Sequence, residues 1–177
     1  MRRYQDVVLR TAWLISGSRA DAEDAAQDAF IKAWLAIGRF RSGSPFRPWI
    51  LRIASNEARN RRRGDRRYER LALRVEQTSP PTRSGSSVED LAIAQDTNRA
   101  VLDAVNRLGD DERLIVVCRY MLGLSEAETA EVAGCPRGTV KSRLSRALGR
   151  LREQLQSSSA SHPTENNQDA RALRHEY

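Results

Sequence analysis

Metal ligands are scarce in this sequence, which holds only two cysteines and two histidines. Cys118 sits in an apolar run, Cys135 lies between Gly134 and Pro136, and His162 and His175 fall in a polar C-terminal stretch. No pair or cluster among them has zinc spacing, so both thiols read as structural and no metal or cofactor is expected. No apolar run approaches the roughly 18 residues of a membrane span. The N-terminus also lacks the apolar core and cleavage site of a signal peptide. A soluble, cytoplasmic protein with no membrane insertion is predicted. Strand patterning is absent as well, because no segment shows a convincing alternation of apolar and polar residues. There is no phosphate-cradling glycine loop, no pocket-like carboxylate pair and no histidine in a patterned segment, so the chain does not read as an enzyme.

What the sequence does have is positive charge, unevenly spread. The formal net charge is +7 over 177 residues, which favours a polyanionic partner. Between Arg47 and Arg70 nine arginines face three acids, and between Arg137 and Arg152 six basic residues face none. The stretch from Asp21 to Asp28 is instead acidic. Two basic blocks and one acidic block imply two nucleic-acid surfaces and a separate protein-facing one.

Helical periodicity organises the chain into an all-α protein of two small domains on a flexible tether. Residues 1–75 form the first domain. Its opening helix spans Tyr4 to Ile15 and is interrupted by Gly17 and Ser18. A second helix, opened by Asp21, carries a stripe of Ala22, Ala25, Ala26, Ala29, Phe30, Ala33, Trp34 and Ile37 expected to face inward. After a polar loop from Arg39 to Pro48, Trp49, Ile50, Ile53, Ala54 and Ala58 mark a third helix. Residues 76–90, with Pro80, Pro81 and a run of small polar side chains, cannot hold a regular element and read as a linker. Residues 91–156 form the second domain, and 157–177 form a tail expected to be disordered.

Within the second domain, Leu124 to Leu144 has the chemistry of two short helices and a tight turn. Ser125 and Glu128 have capping-box spacing, Gly134 suits a left-handed helix end, and Pro136 suits the first position of the next helix. Val140, Leu144, Leu148, Leu151 and Leu155 would then face inward, leaving Arg137, Lys141, Ser142, Ser145 and Arg146 outside. This is a helix-turn-helix whose second helix suits the DNA major groove.

The third helix offers another basic face. Arg52, Asn56, Arg59, Asn60 and Arg63 share one side, opposite Ile50, Ile53 and Ala54. Arginine supplies paired donors to phosphate or guanine, and asparagine can pair with adenine. Phe40, Phe46 and Trp49 flank the basic loop before it, and aromatics beside cations suit stacked single-stranded bases. Core packing is the competing role for Phe46 and Trp49. On the second helix, Asp24, Gln27 and Asp28 point outward. Helix-dipole complementation explains acids in a first turn but weakens by Asp28, leaving a protein partner that presents arginines.

These residues resemble a known family. Asp21–Trp34 resembles region 2.2 of the extracytoplasmic-function (ECF) sigma factors, Phe46–Asn60 resembles their regions 2.3 and 2.4, and Gly138–Leu144 resembles their region 4.2. The resemblance covers nearly all of residues 1–155 and implies a bacterial factor that binds core RNA polymerase and directs it to particular promoters. It implies that Asp24, Gln27 and Asp28 face the polymerase clamp. The loop 39–48, with Phe46 and Trp49, and the face Arg52, Asn56, Arg59, Asn60 and Arg63 would meet the −10 element. Arg137, Thr139, Lys141, Ser142, Arg143 and Arg146 would meet the −35 element. It also implies control by an anti-sigma factor. Ala25-Ala26 departs from a bulkier aliphatic pair common in that family. The alternative is a stand-alone helix-turn-helix regulator, which gives the acidic face no role.

Overall fold

Small residues decide how the N-terminal helices approach one another. The computed structural model describes residues 2–75 and 94–160, with side chains placed over 3–67 and 99–157. Among the described residues every regular element is helical. A short 3-10 turn, Arg2–Tyr4, leads into α1 (Gln5–Ser16), which ends where Gly17 takes φ +80° and donates its N–H to the Trp13 carbonyl at 2.8 Å. Helix α2 (Arg19–Ala36) begins two residues before Asp21 because Ser18 is its N-cap, accepting from the Asp21 N–H at 3.4 Å. Ala22, Ala25, Ala26, Ala29 and Ala33 are all buried on α2, so the unusual Ala25-Ala26 pair is core. Helix α3 (Phe46–Val75) starts at Phe46, inside the stretch expected to be loop, and accommodates Pro48 in its first turn, where no amide donor is needed. Val8, Ala12, Ile15, Ile50, Leu51, Ala54 and Ala58 complete this core.

The C-terminal half is built from α4 (Ala94–Arg107), α5 (Asp110–Val116), α6 (Glu126–Ala133) and α7 (Arg137–Ala160). Between α5 and α6 the backbone widens into a π turn, Val117–Met121, in which the Leu122 N–H reaches back to the Val117 carbonyl at 3.0 Å. The expected capping box is present. Glu128 accepts from the Ser125 N–H at 2.8 Å and from its hydroxyl at 2.7 Å, while Ser125 Oγ accepts from the Glu128 N–H at 3.2 Å. Gly134 takes φ +63° at the turn, as expected. Pro136 immediately precedes α7 and accepts the first helical bonds from the Thr139 and Val140 N–H groups.

Three expectations about inward faces and boundaries need correction. Trp34 is 68% exposed and Ile37 45% exposed, so the bulky end of the α2 stripe lies outside. On α7 the buried positions are Val140 and Ala147, with Leu144 and Leu151 half-buried, while Leu148 is exposed. The tail also begins later than residue 157, because α7 continues to Ala160, with Ser157 Oγ donating back to the Glu153 carbonyl. The linker 76–90 and residues 161–177, including His162 and His175, lie outside the described residues.

The two halves meet. Helix α3 packs along α6, and α1 touches α5 and the π turn. Arg113 of α5 is 1% exposed and donates to the Ile15 carbonyl of α1 at 2.9 Å, to Val105 at 3.1 Å and to Asn106. The charge of Arg113 is thus satisfied by carbonyls at the C-terminal ends of α1 and α4, where helix dipoles favour a cation.

Candidate nucleic-acid interface

On α7 the inward residues hold a row of polar side chains away from the core. Arg137, Ser142 and Arg146 are exposed, Thr139 is half-buried, and Lys141 keeps 73% of its side chain in solvent. Glu126, from the first turn of α6, accepts from Arg137 Nε at 3.3 Å and lies 3.8 Å from Lys141 Nζ. Ser142 Oγ donates to the Thr139 carbonyl, and Arg146 Nε to the Ser142 carbonyl, at the long distance of 3.4 Å. Arg143 is set apart from this row. Its side chain is only 27% exposed and meets Asp111 at 3.0 Å.

The polar face of α3 divides in the same way. Arg52, Asn56 and Asn60 are exposed, with the Arg52 guanidinium beside Gly134 of the turn. Arg59 is mostly covered and pairs with Asp111, and Arg63 meets Asp110 at 3.3 Å. The aromatics are gathered rather than splayed. Tyr4, Phe40, Phe46 and Trp49 form a half-buried cluster with ring centroids 5.0–5.5 Å apart. Such spacing is that of packed, mutually tilted rings, so packing accounts for Phe46 and Trp49 in this conformation. The loop residues 41–45 beside them are exposed.

Asp24, Gln27 and Asp28 lie at the surface of α2 as expected, and the structure adds a basic partner to the two acids. Arg61 of α3 donates to Asp24 at 3.0 Å and to Asp28 at 2.7 Å. The hydrogen bond to Asp28 leads in raising the Arg61 pKa above its ordinary value. Asp24, Asp28, Ile31 and Leu35 recur at helical spacing, so the acidic patch runs on into an apolar strip. Ile31 is 51% and Leu35 76% exposed, with Trp34 alongside. The inward assignment of Trp34 had hidden this strip.

Sequence reasoning also missed an acidic pair that faces the arginines of α3. Asp110 and Asp111 open α5, where acids complement a helix dipole, and that local role was the only one visible. In the fold Asp110 meets Arg62 at 3.9 Å, Arg63 at 3.3 Å and Arg66 at 3.2 Å, while Asp111 meets Arg59 and Arg143. Arg62 is largely buried and donates to Asn106 at 2.8 Å and to Ile15 at 3.3 Å. Burial, with Arg66 beside it, pushes the Arg62 guanidinium down to about 10, so it remains a cation at neutral pH. Among the described residues no group of three or more metal-ligating side chains occurs, and no helix is long and apolar enough to cross a membrane.

Two family models match the chain, Sigma-70 region 2 over residues 1–68 and Sigma-70 region 4 over residues 98–151. The chain is 34% identical over 162 residues to an ECF RNA polymerase sigma-E factor of Haemophilus influenzae, covering 87% of this chain and 84% of the relative. It is 31% identical over 158 residues to the ECF RNA polymerase sigma factor SigW of Bacillus subtilis, covering 86% and 84%. Among solved structures it is similar to the sigma factor RpoE in complex with the anti-sigma factor NepR from Bartonella quintana. That match has a TM-score of 0.65 and 29% identity, over 86% of this chain and 91% of that one. It is also similar to CnrH in complex with the cytosolic domain of CnrY, at a TM-score of 0.63 and 26% identity, over 88% and 84%.

Proposed function

Because the chain belongs to the ECF sigma factors of RNA polymerase, we propose that it programmes promoter choice through three separate surfaces, each assigned to a partner by its chemistry. The chain binds core RNA polymerase and directs promoter-specific initiation, and it does so by binding rather than by catalysis, in the cytoplasm. Asp24, Gln27 and Asp28, continued by Ile31, Trp34 and Leu35, form the core-polymerase face, combining charge for orientation with exposed apolar area for affinity. Arg52, Asn56, Arg59, Asn60 and Arg63 contact the −10 element, with the loop beside Phe46 and Trp49 receiving unpaired bases. Arg137, Thr139, Lys141, Ser142, Arg143 and Arg146 contact the −35 element, the phosphate contacts setting register and the base contacts setting sequence. An anti-sigma factor is the expected antagonist.

The observation that carries this reading is the acidic-to-apolar strip on α2, exposed on the same chain as two basic helical faces. A regulator acting alone on duplex DNA needs the basic faces and leaves the strip without a role. The test is to reconstitute the chain with core RNA polymerase and map transcript starts genome-wide. Starts that share two upstream elements, and that appear only when the chain is added, support the proposal. Specific duplex binding by the chain alone, with transcription unaffected by its addition, would refute it.

A further inference from the structure

One cation of the arginine-rich helix faces away from the proposed DNA surface. Arg61 lies two and a half turns beyond Arg52 at about 3.6 residues per turn, which puts it on the opposite side of α3. It continues the inward stripe of Ile50, Ala54 and Ala58, all fully buried. Periodicity asks for an apolar side chain there, and an arginine occupies the place. Its guanidinium turns to α2, where Nη1 donates to Asp24 at 3.0 Å and Nη2 to Asp28 at 2.7 Å. Each bond falls on one oxygen, Oδ2, of its aspartate.

Asp24 and Asp28 stand one turn apart on α2, where like charges repel. The cation best placed to relieve them locally is Lys32, one turn after Asp28, but Lys32 donates instead to Glu57 of α3 at 2.6 Å. Arg61 therefore supplies the relief from across the seam between α2 and α3. Stapling the two helices explains little of this arrangement. The seam is already closed by the buried alanines of α2, and exposed ion pairs contribute little to fold stability. Nor are the acids used up by the contact, since Asp24 keeps 60% and Asp28 42% of its side-chain surface in solvent.

We propose that Arg61 is a positioning residue of the core-polymerase face: it fixes the Asp24 and Asp28 carboxylates in one geometry and leaves their second oxygens to cations of the partner. This rests on the assignment of that face of α2 to polymerase. Charge-assisted bonds to one guanidinium set the direction of both carboxylates, so less freedom is lost when the partner arrives. The same guanidinium cancels one of the two negative charges that steer a basic partner toward the face. Arg61 thus lengthens the residence of the complex while slowing its formation. A residue that served only the fold has no reason to act on the two rates in opposite senses.

The test is surface plasmon resonance of the full chain over immobilised core RNA polymerase, without DNA, which reads both rates. At about 50 mM NaCl, Arg61→Ala should associate about twofold faster and dissociate about 10- to 20-fold faster, a rise in Kd of about five- to tenfold. At about 500 mM NaCl the association rates should converge as steering is screened, while the faster dissociation remains. Arg61→Lys keeps the charge but lacks the fork that spans two acids, so it should associate normally and dissociate about threefold faster. In an Asp24→Asn, Asp28→Asn background, Arg61→Ala should change Kd by less than about twofold, because the groups it acts through are gone. An unchanged dissociation rate for Arg61→Ala, while the Asn pair binds more weakly, overturns the positioning role and leaves the polymerase face standing. The same fold loss in both backgrounds also overturns it, since Arg61 would then act without the aspartates. Should circular dichroism show that Arg61→Ala loses helix content, Arg61→Lys decides, and an unchanged dissociation rate there overturns the proposal. If the Asn pair binds core polymerase as the unmodified chain does, the assignment of the α2 face is what fails, and the role of Arg61 falls with it.

Discussion

Replacing Trp34 and Leu35 together by glutamine separates a core role from an interface role for the exposed end of α2. Leu35 is 76% exposed and Trp34 68% exposed, so most of their apolar surface is still available to a partner. Full burial of a leucine side chain contributes about 1.5–3 kcal/mol, and three-quarters of that leaves roughly 1–2 kcal/mol for Leu35. A tryptophan buries about 150–250 Å², so two-thirds of it at about 25 cal/mol per Å² gives roughly 2.5–4 kcal/mol. Binding surfaces return only part of such areas, because ordering and desolvation costs offset them. A conservative expectation is a combined loss of about 2 kcal/mol, or a roughly 30-fold rise in Kd for core polymerase. Fold stability should move by no more than about 0.5 kcal/mol, as for other surface substitutions. Ala33→Leu, one residue away but 1% exposed, should do the reverse, costing about 1–3 kcal/mol of stability by overpacking. Anisotropy titration of labelled protein with core polymerase reads the first quantity, and urea melts read the second. A Kd within threefold of the unmodified chain refutes the interface. A stability loss above 2 kcal/mol in the glutamine pair instead refutes the exposed placement of these side chains.

Arg146→Ala should lose roughly 1–3 kcal/mol on the preferred −35 duplex and relax base preference at one position, while Arg137→Ala weakens all duplexes alike and lowers the salt slope by about one; selection of binding sites with both variants tests this. Glu126→Gln removes the anion shared by Arg137 and Lys141, so binding of the chain to mixed-sequence duplex should tighten, with a steeper salt dependence in the same titration. Hydrogen bonds from Ser125 hold the Glu128 carboxyl below its ordinary value of 4.5. Its contribution is therefore fully present above that value and lost as pH falls through the lower folded pKa, so Glu128→Gln should flatten the acid limb of a stability-versus-pH curve. Burial pushes the Cys118 thiol up to about 12, so at pH 8 a thiol reagent should leave Cys118 unmodified until denaturant is added, and rapid native labelling there would contradict its burial.

What could be read from the sequence was local chemistry. Ser125, Glu128 and Gly134 each act on their own backbone within a few residues, so their types alone predict the cap and the left-handed turn. The face Arg52, Asn56, Asn60 follows from periodicity once a helix is granted. The arginine–aspartate junction was not legible, because Arg59 and Asp111 are 52 residues apart and each had a sufficient local explanation. The π turn was also invisible, since Val117–Met121 has ordinary helical composition and widens to join α5 to the turn at Gly123.

The inward faces of α2 and α7 hold at most positions, and the misplaced residues, Trp34 and Ile37 on α2 and Leu148 on α7, share one reason that bears on function. Weighting each residue by its own hydrophobicity turns a helix toward its largest apolar side chains, Trp34 on α2 and Leu148 on α7. In the fold the buried positions beside them are Ala33 and Ala147, at 1% and 0% exposure. Alanine lets helix axes approach closely, and the dispersion gained over the backbone then substitutes for the missing side-chain volume. Helix α2 sits against α1 and α3 on a stripe of five buried alanines, and the Trp34 indole lies outside that stripe. The bulky residues Trp34 and Leu35 end outside because the buried stripe of α2 is built from alanines. Such residues add nothing to the fold while exposed, and a contiguous exposed apolar patch is a liability for a protein that acts alone. Their position next to Asp24 and Asp28, on the same helical face, gives the strip both an orienting charge and an apolar anchor. That combination is the one expected where a partner completes the surface.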